Sequence, residues 1–125
     1  MTRDPIPNII KRVIITSVES VPHLEALLMT QKNPEVSWDA ELLARTIFIQ
    51  PKVAEGLLVK LSSAGFLKKL AESQPQKYDY VYPVLETRQL LDELAALYSK
   101  HLILITNLIH DKSSNVQKFA DAFKF

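Results

Sequence analysis

Two apolar stripes at helical spacing, Leu42, Leu43 and Ile47 and then Ala54, Leu57, Leu58 and Leu61, stand on either side of Gln50-Pro51. Proline has no N–H to donate and its ring collides with the preceding turn, so a helix tolerates it in the first turn and not in the interior. The chain must therefore build two helices joined by a tight turn, a helix-turn-helix. The second helix is expected over 51–64, where Ala54, Leu57, Leu58 and Leu61 fall at i, i+3, i+4 and i+7 and make a single buried stripe. Gly65 supplies a left-handed stop, after which Phe66 and Leu67 return to the core.

Periodicity on the N-terminal side predicts a first helix near Ile9 to Val18. A second runs from about Pro22 to Thr30, with Leu24, Leu27 and Leu28 on one face and Pro22 in its first turn. Lys32-Asn33-Pro34 breaks the chain. Ser37 is the expected N-cap of the next helix, with Asp39 and Glu41 in a first turn whose dipole favours anions.

Beyond Gly65, Phe66 to Ala71 and Tyr78 to Val84 read as two strands joined by the polar turn 72–77, which contains Pro75. Tyr78, Tyr80 and Tyr82 then share one face by period 2, as half-buried packing with hydroxyls at the rim or, alternatively, as a surface that stacks on a partner or lines a groove. Trp38 is expected in the core. From Glu86 to about Ile109 the pattern predicts one long helix. The fold class is thus mainly α with a small β-hairpin: a winged helix-turn-helix followed by a long C-terminal helix suited to dimerisation. One domain is expected over 1–125, with a winged-helix core at 20–85, the long helix at 86–110, and a tail at 111–125 that docks on the core or on a partner.

Composition narrows the function. A chain of 125 residues with 47% apolar and 23% charged residues is long enough to bury one sizeable core. The absence of cysteine removes disulfides, thiolate metal sites and cysteine nucleophiles, and is compatible with a reducing cytoplasm. The opening MTRDPIPNIIKRVIITSV carries charge on both sides of its first apolar residues, unlike a secretory signal, and HLILITNLI is too short to span a membrane. Net charge is +1, and residues 37–83 hold six Lys/Arg against five Asp/Glu, so charge alone points to no partner. The two glycines exclude Gly-rich phosphate loops. His23, His101 and His110 have no ligand spacing, so neither catalysis, a metal nor a cofactor is expected.

The segment IQPKVAEGLLVKLSSAGFL resembles the recognition helix of the winged-helix regulators that include the bacterial iron-sulfur-cluster regulator. Ile49, Pro51, Lys52, Glu55, Leu57, Leu58, Lys60, Leu61, Ala64 and Gly65 carry the match. The multiple-antibiotic-resistance regulators share its second half. The resemblance implies the fold and a role in transcription regulation; without cysteines, and with SQPQKYDY where that family has a glycine-rich wing, it does not imply redox sensing. The C-terminal part, TRQLLDELAALYSKHLILITNLIH followed by KFADAF, resembles proteobacterial winged-helix proteins of unassigned role.

A helix of this kind lies in the major groove with its N-terminal turns nearest the bases. The outward face should hold Lys52, Glu55, Gly56, Val59 and Ser63. Lys52 suits phosphate or guanine, Gln50 suits adenine, Glu55 can accept from cytosine, and Gly56 allows close backbone approach. Lys60, Lys68, Lys69 and Lys77 would act as phosphate contacts. On the long helix, Leu90, Leu94, Leu97, Leu104 and Leu108 form one stripe, and Leu91, Tyr98, Leu102, Ile105 and Ile109 another. The second stripe is expected to pair two chains into a homodimer, unless both are filled from within the chain. The expected partners are double-stranded DNA and a second copy, with an effector unassigned; the alternative is a winged-helix module that binds protein.

Overall fold

The computed structural model describes residues 4–71 and 73–111. Among them are six helices, α1 (Asn8–Ser17), α2 (Val21–Lys32), α3 (Ala40–Ile47), α4 (Pro51–Ser63), α5 (Leu85–Lys100) and α6 (Leu102–Asp111), and one antiparallel hairpin of β1 (Leu67–Lys69) and β2 (Tyr78–Tyr80). The expected tail, apart from Asp111 itself, lies outside the described residues. The chain divides into two compact units, Pro22–Arg88 on the one hand and Met1–Val21 with Gln89–Phe125 on the other.

In the unit formed by Pro22–Arg88, Leu24, Ala26, Leu27, Leu43, Ala44 and Ile47 are buried together with the whole α4 stripe, Ala54, Leu57, Leu58 and Leu61. Helix α2 ends where Asn33 caps Met29 O twice, with its backbone N–H at 3.2 Å and its side-chain Nδ2 at 3.0 Å. Helix α3 starts two residues later than Ser37 would place it. Its N-cap is Asp39, whose Oδ1 accepts from Leu42 N at 2.8 Å while its carbonyl accepts from Leu43 N. Ser37 is drawn elsewhere, donating its hydroxyl to Asp79 on β2. A carboxylate satisfies the helix N-terminus better than a hydroxyl because it also meets the dipole.

Trp38 is buried, and its backbone exchanges two hydrogen bonds of 2.8 Å with Tyr78. Tyr78 also pairs with Lys69 across the hairpin, so β2 lies between β1 and a one-residue bridge from the segment before α3. The strands are shorter than Phe66 to Ala71 and Tyr78 to Val84. Beyond the ladder each end keeps one more bond, Val81 N to Phe66 O and Leu70 N to Lys77 O. The turn then goes over to side chains: Gln76 Nε2 donates to Leu70 O, and Ser73 Oγ accepts from Lys77 N. Tyr78 is buried, Tyr80 half-buried and Tyr82 exposed, the last two meeting edge to face with ring centroids 5.1 Å apart.

In the other unit, Ile6, Ile10, Ile14 and Val18 recur every fourth residue and are all buried. Asp4 accepts from Ile6 N and from the Lys11 ammonium, and these bonds, the lysine first, hold its carboxyl below the ordinary aspartate value. The predicted single helix over 86–109 is interrupted. His101 closes α5 by donating its N–H to Leu97 O at 2.7 Å, and its carbonyl opens α6 by accepting from Ile105 N. Neither proline nor glycine marks the break. Leu91, Leu94, Ile105 and Ile109 are buried on its two sides.

Candidate nucleic-acid interface

Helix α4 is presented by the turn that precedes it. Helix α3 ends with Phe48 in the left-handed conformation (φ 59°, ψ 53°), and both Phe48 N and Ile49 N point back to Ala44 O. That reversal carries the chain into Gln50, the N-cap of α4, whose side chain makes no capping bond, and Pro51 takes the first helical position. The buried stripe fixes the rotation of α4. Lys52, Glu55, Gly56, Val59 and Ser63 are consequently exposed, as the sequence predicts, and so are Gln50, Val53 and Lys60. A Cβ built on Gly56 meets no atom within 4 Å, so the helix surface there is open. Gly65, at φ +89°, turns the chain from α4 into β1.

The hairpin adds Lys68 and Lys69 on β1 and Lys77 before β2, all exposed. Lys68 stands opposite Asp79 in the ladder and Lys69 opposite Tyr78. A cleft of about 660 Å³ lies between the start of α3, one side of α4 and the hairpin, lined among others by Asp39, Glu41, Glu55, Lys69, Gln76 and Tyr78. Three carboxylates face one ammonium there. Glu55 and Val59 belong to this acidic cleft, whereas Gln50, Lys52, Gly56 and Lys60 lie outside its lining.

The structure therefore brings Gln50, Lys52, Glu55, Gly56 and Lys60 together on one helix and adds Lys68, Lys69 and Lys77 from the hairpin of the same unit. It treats the expected interface stripe differently. Leu91, Ile105 and Ile109 are 4%, 0% and 1% exposed within the single chain and present no outward surface; Tyr98 is half-buried, and Leu102 is 48% exposed. An amphipathic stripe covers whichever neighbour is nearest, and in this fold three of its five residues are filled from within the chain. Among the described residues, Leu102, Ile103 and Leu104 on α6, and Ile9 and Ile15 on α1, are the exposed large apolar residues of this unit.

Phe48 escaped the sequence reading. It is 91% exposed, and the only signal for it was an α3 that had to end before Gln50 with no glycine or asparagine to take the left-handed position. Among the described residues no three His, Asp or Glu side chains gather as a metal site, and no single helix is long and apolar enough to cross a membrane.

No family model matches the chain, and no curated protein does. Solved structures do. The heme sensor protein PefR from Streptococcus agalactiae in complex with heme is similar with a TM-score of 0.53 and 17% identity, over 93% of this chain and 82% of that one. Apo (heme-free) PefR is similar with a TM-score of 0.53 and 16% identity, over 94% of this chain and 88% of that one. At such identity the likeness concerns architecture, and with the helix-turn-helix and hairpin described above it gives this chain a winged-helix fold.

Proposed function

We propose that the protein is a cytoplasmic transcriptional regulator that binds double-stranded DNA as a winged-helix homodimer. The observation that carries this reading is the exposed N-terminal half of α4, with Gln50, Lys52 and Gly56, in the same unit as a hairpin bearing Lys68, Lys69 and Lys77. In winged-helix proteins that bind DNA, such a helix enters the major groove and the hairpin touches the neighbouring backbone. Gln50 and Lys52 would read base edges, and the hairpin lysines would hold phosphates. Leu102, Ile103 and Leu104 supply apolar surface for pairing two chains, in place of the buried Leu91, Ile105 and Ile109.

One observation favours a second reading, a module that binds protein. The cleft beside α4 carries Asp39, Glu41 and Glu55 against Lys69, a balance that repels phosphate. Selection from a random duplex library at two salt concentrations, with the mass measured in the same buffer, separates the two. An inverted repeat recovered by a dimer is the outcome expected for a regulator; no enrichment at low salt would leave the protein-binding module. Lys52→Glu should lower affinity for the selected site about tenfold, and an unchanged affinity would mean that α4 does not meet the duplex by its first turn.

A further inference from the structure

We infer that Phe48, at the turn between α3 and α4, is an apolar contact to the DNA duplex, a role that rests on the DNA-binding reading given above. Three observations meet at this residue. Its backbone is left-handed at φ 59°, a conformation that is strained for a bulky side chain and that glycine or asparagine takes at far lower cost. Its ring is 91% exposed, so it contributes almost nothing to the core in return. And it lies two residues before Gln50 and four before Lys52, on the segment that leads into the exposed end of α4. Capping α3 explains the left-handed turn but not an exposed phenylalanine at it, and strained positions gather where a ligand is met.

The charge of the surface says what the ring would add. Residues 37–83 are nearly neutral, and Glu55, Asp39 and Glu41 offset part of the lysine charge, so the hairpin's phosphate contacts leave part of the affinity to other groups. A weakly basic reader needs apolar contact at the duplex. The C5-methyl group of thymine and the deoxyribose face are the apolar surfaces that DNA offers, and phenylalanine is among the side chains that meet the thymine methyl. Phe48 would thus favour thymine at a fixed place beside the bases that Gln50 and Lys52 read.

The test uses the full-length protein and its selected duplex. Phe48→Gly removes the ring and relieves the backbone, so the melting temperature should rise by about 3 °C while the dissociation constant increases about tenfold or more. Phe48→Tyr keeps the ring and should keep the affinity within about threefold. Replacing each thymine of the site by uracil removes only the methyl group; one position should weaken wild-type binding several-fold and leave Phe48→Gly unaffected. If Phe48→Gly binds like wild type, the contact is overturned and the DNA reading stands. If it instead turns an oligomer into a monomer, the ring belongs between chains and the contact is overturned as well. If wild-type protein binds no duplex at low salt, this inference and the DNA reading fall together.

Discussion

Asp39 shows how one residue sets an element's start. Its carboxylate accepts from Leu42 N in the first turn of α3, while Ser37 bonds to Asp79. Asp39→Ala should therefore cost about 1 kcal/mol, and Ser37→Ala, which loses a surface bond, about 0.5 kcal/mol or less, as read by urea denaturation. Equal losses would return the cap to Ser37. The two glycines should respond in opposite directions. Gly65 holds φ +89°, where a Cβ is strained whatever the space around it, so Gly65→Ala should destabilise by about 1 kcal/mol. Gly56 sits mid-helix with open space around it, so Gly56→Ala should stabilise by roughly 0.5–1 kcal/mol. If the duplex lies against this face, the added methyl also weakens DNA binding. Stability and affinity would then move apart, which a purely structural glycine would not show.

At the scale of elements, α4 was legible because its two boundaries and its buried face are written in residue types with strong preferences: Pro51 at the start, Gly65 past the end, and Ala54, Leu57, Leu58 and Leu61 between them. Leu58→Ala should accordingly cost about 2–5 kcal/mol and lower cooperativity, since the side chain is 1% exposed in the middle of that stripe. A loss below about 1 kcal/mol in a calorimetric melt would mean the stripe is not the core. The hairpin was legible in kind and not in length, because side-chain bonds from Gln76 and Ser73 replace the ladder at the turn, and such local competition leaves no period in the sequence. The break at His101 was not legible at all. Both of its backbone bonds are made, so no residue needs to break the helix, and the apolar positions on either side keep helical spacing. The left-handed Phe48 was hidden for a related reason: a rule that assigns such positions to glycine or asparagine says nothing when a phenylalanine is forced into one. The outward face of α4 followed directly from its buried stripe, whereas the C-terminal stripe was legible as apolar and not as to which chain covers it.

For the whole molecule, the charge distribution predicts how DNA binding should respond to salt. If Lys60, Lys68, Lys69 and Lys77 are the phosphate contacts of one protomer, log K should fall with log salt at a slope of about −3.6, since each contact contributes about −0.9. A homodimer on an inverted repeat would double that slope to about −7, and Lys77→Ala would reduce the dimer's slope by about 1.8. Acidic groups beside α4 act against this. Glu41 and Glu55 line the cleft next to Lys69, so Glu41→Gln should raise low-salt affinity modestly without changing which sites are selected, because it removes a repulsion that is blind to sequence. Titrating the selected duplex at several salt concentrations, with the mass of the complex determined alongside, reads both quantities together. A slope near zero with intact binding would be incompatible with phosphate contacts from the hairpin and would move the recognition surface away from these lysines. A slope near −3.6 with one protein chain per site would keep the lysines in place and discard the dimer, leaving Leu102, Ile103 and Leu104 to be covered by something other than a second copy.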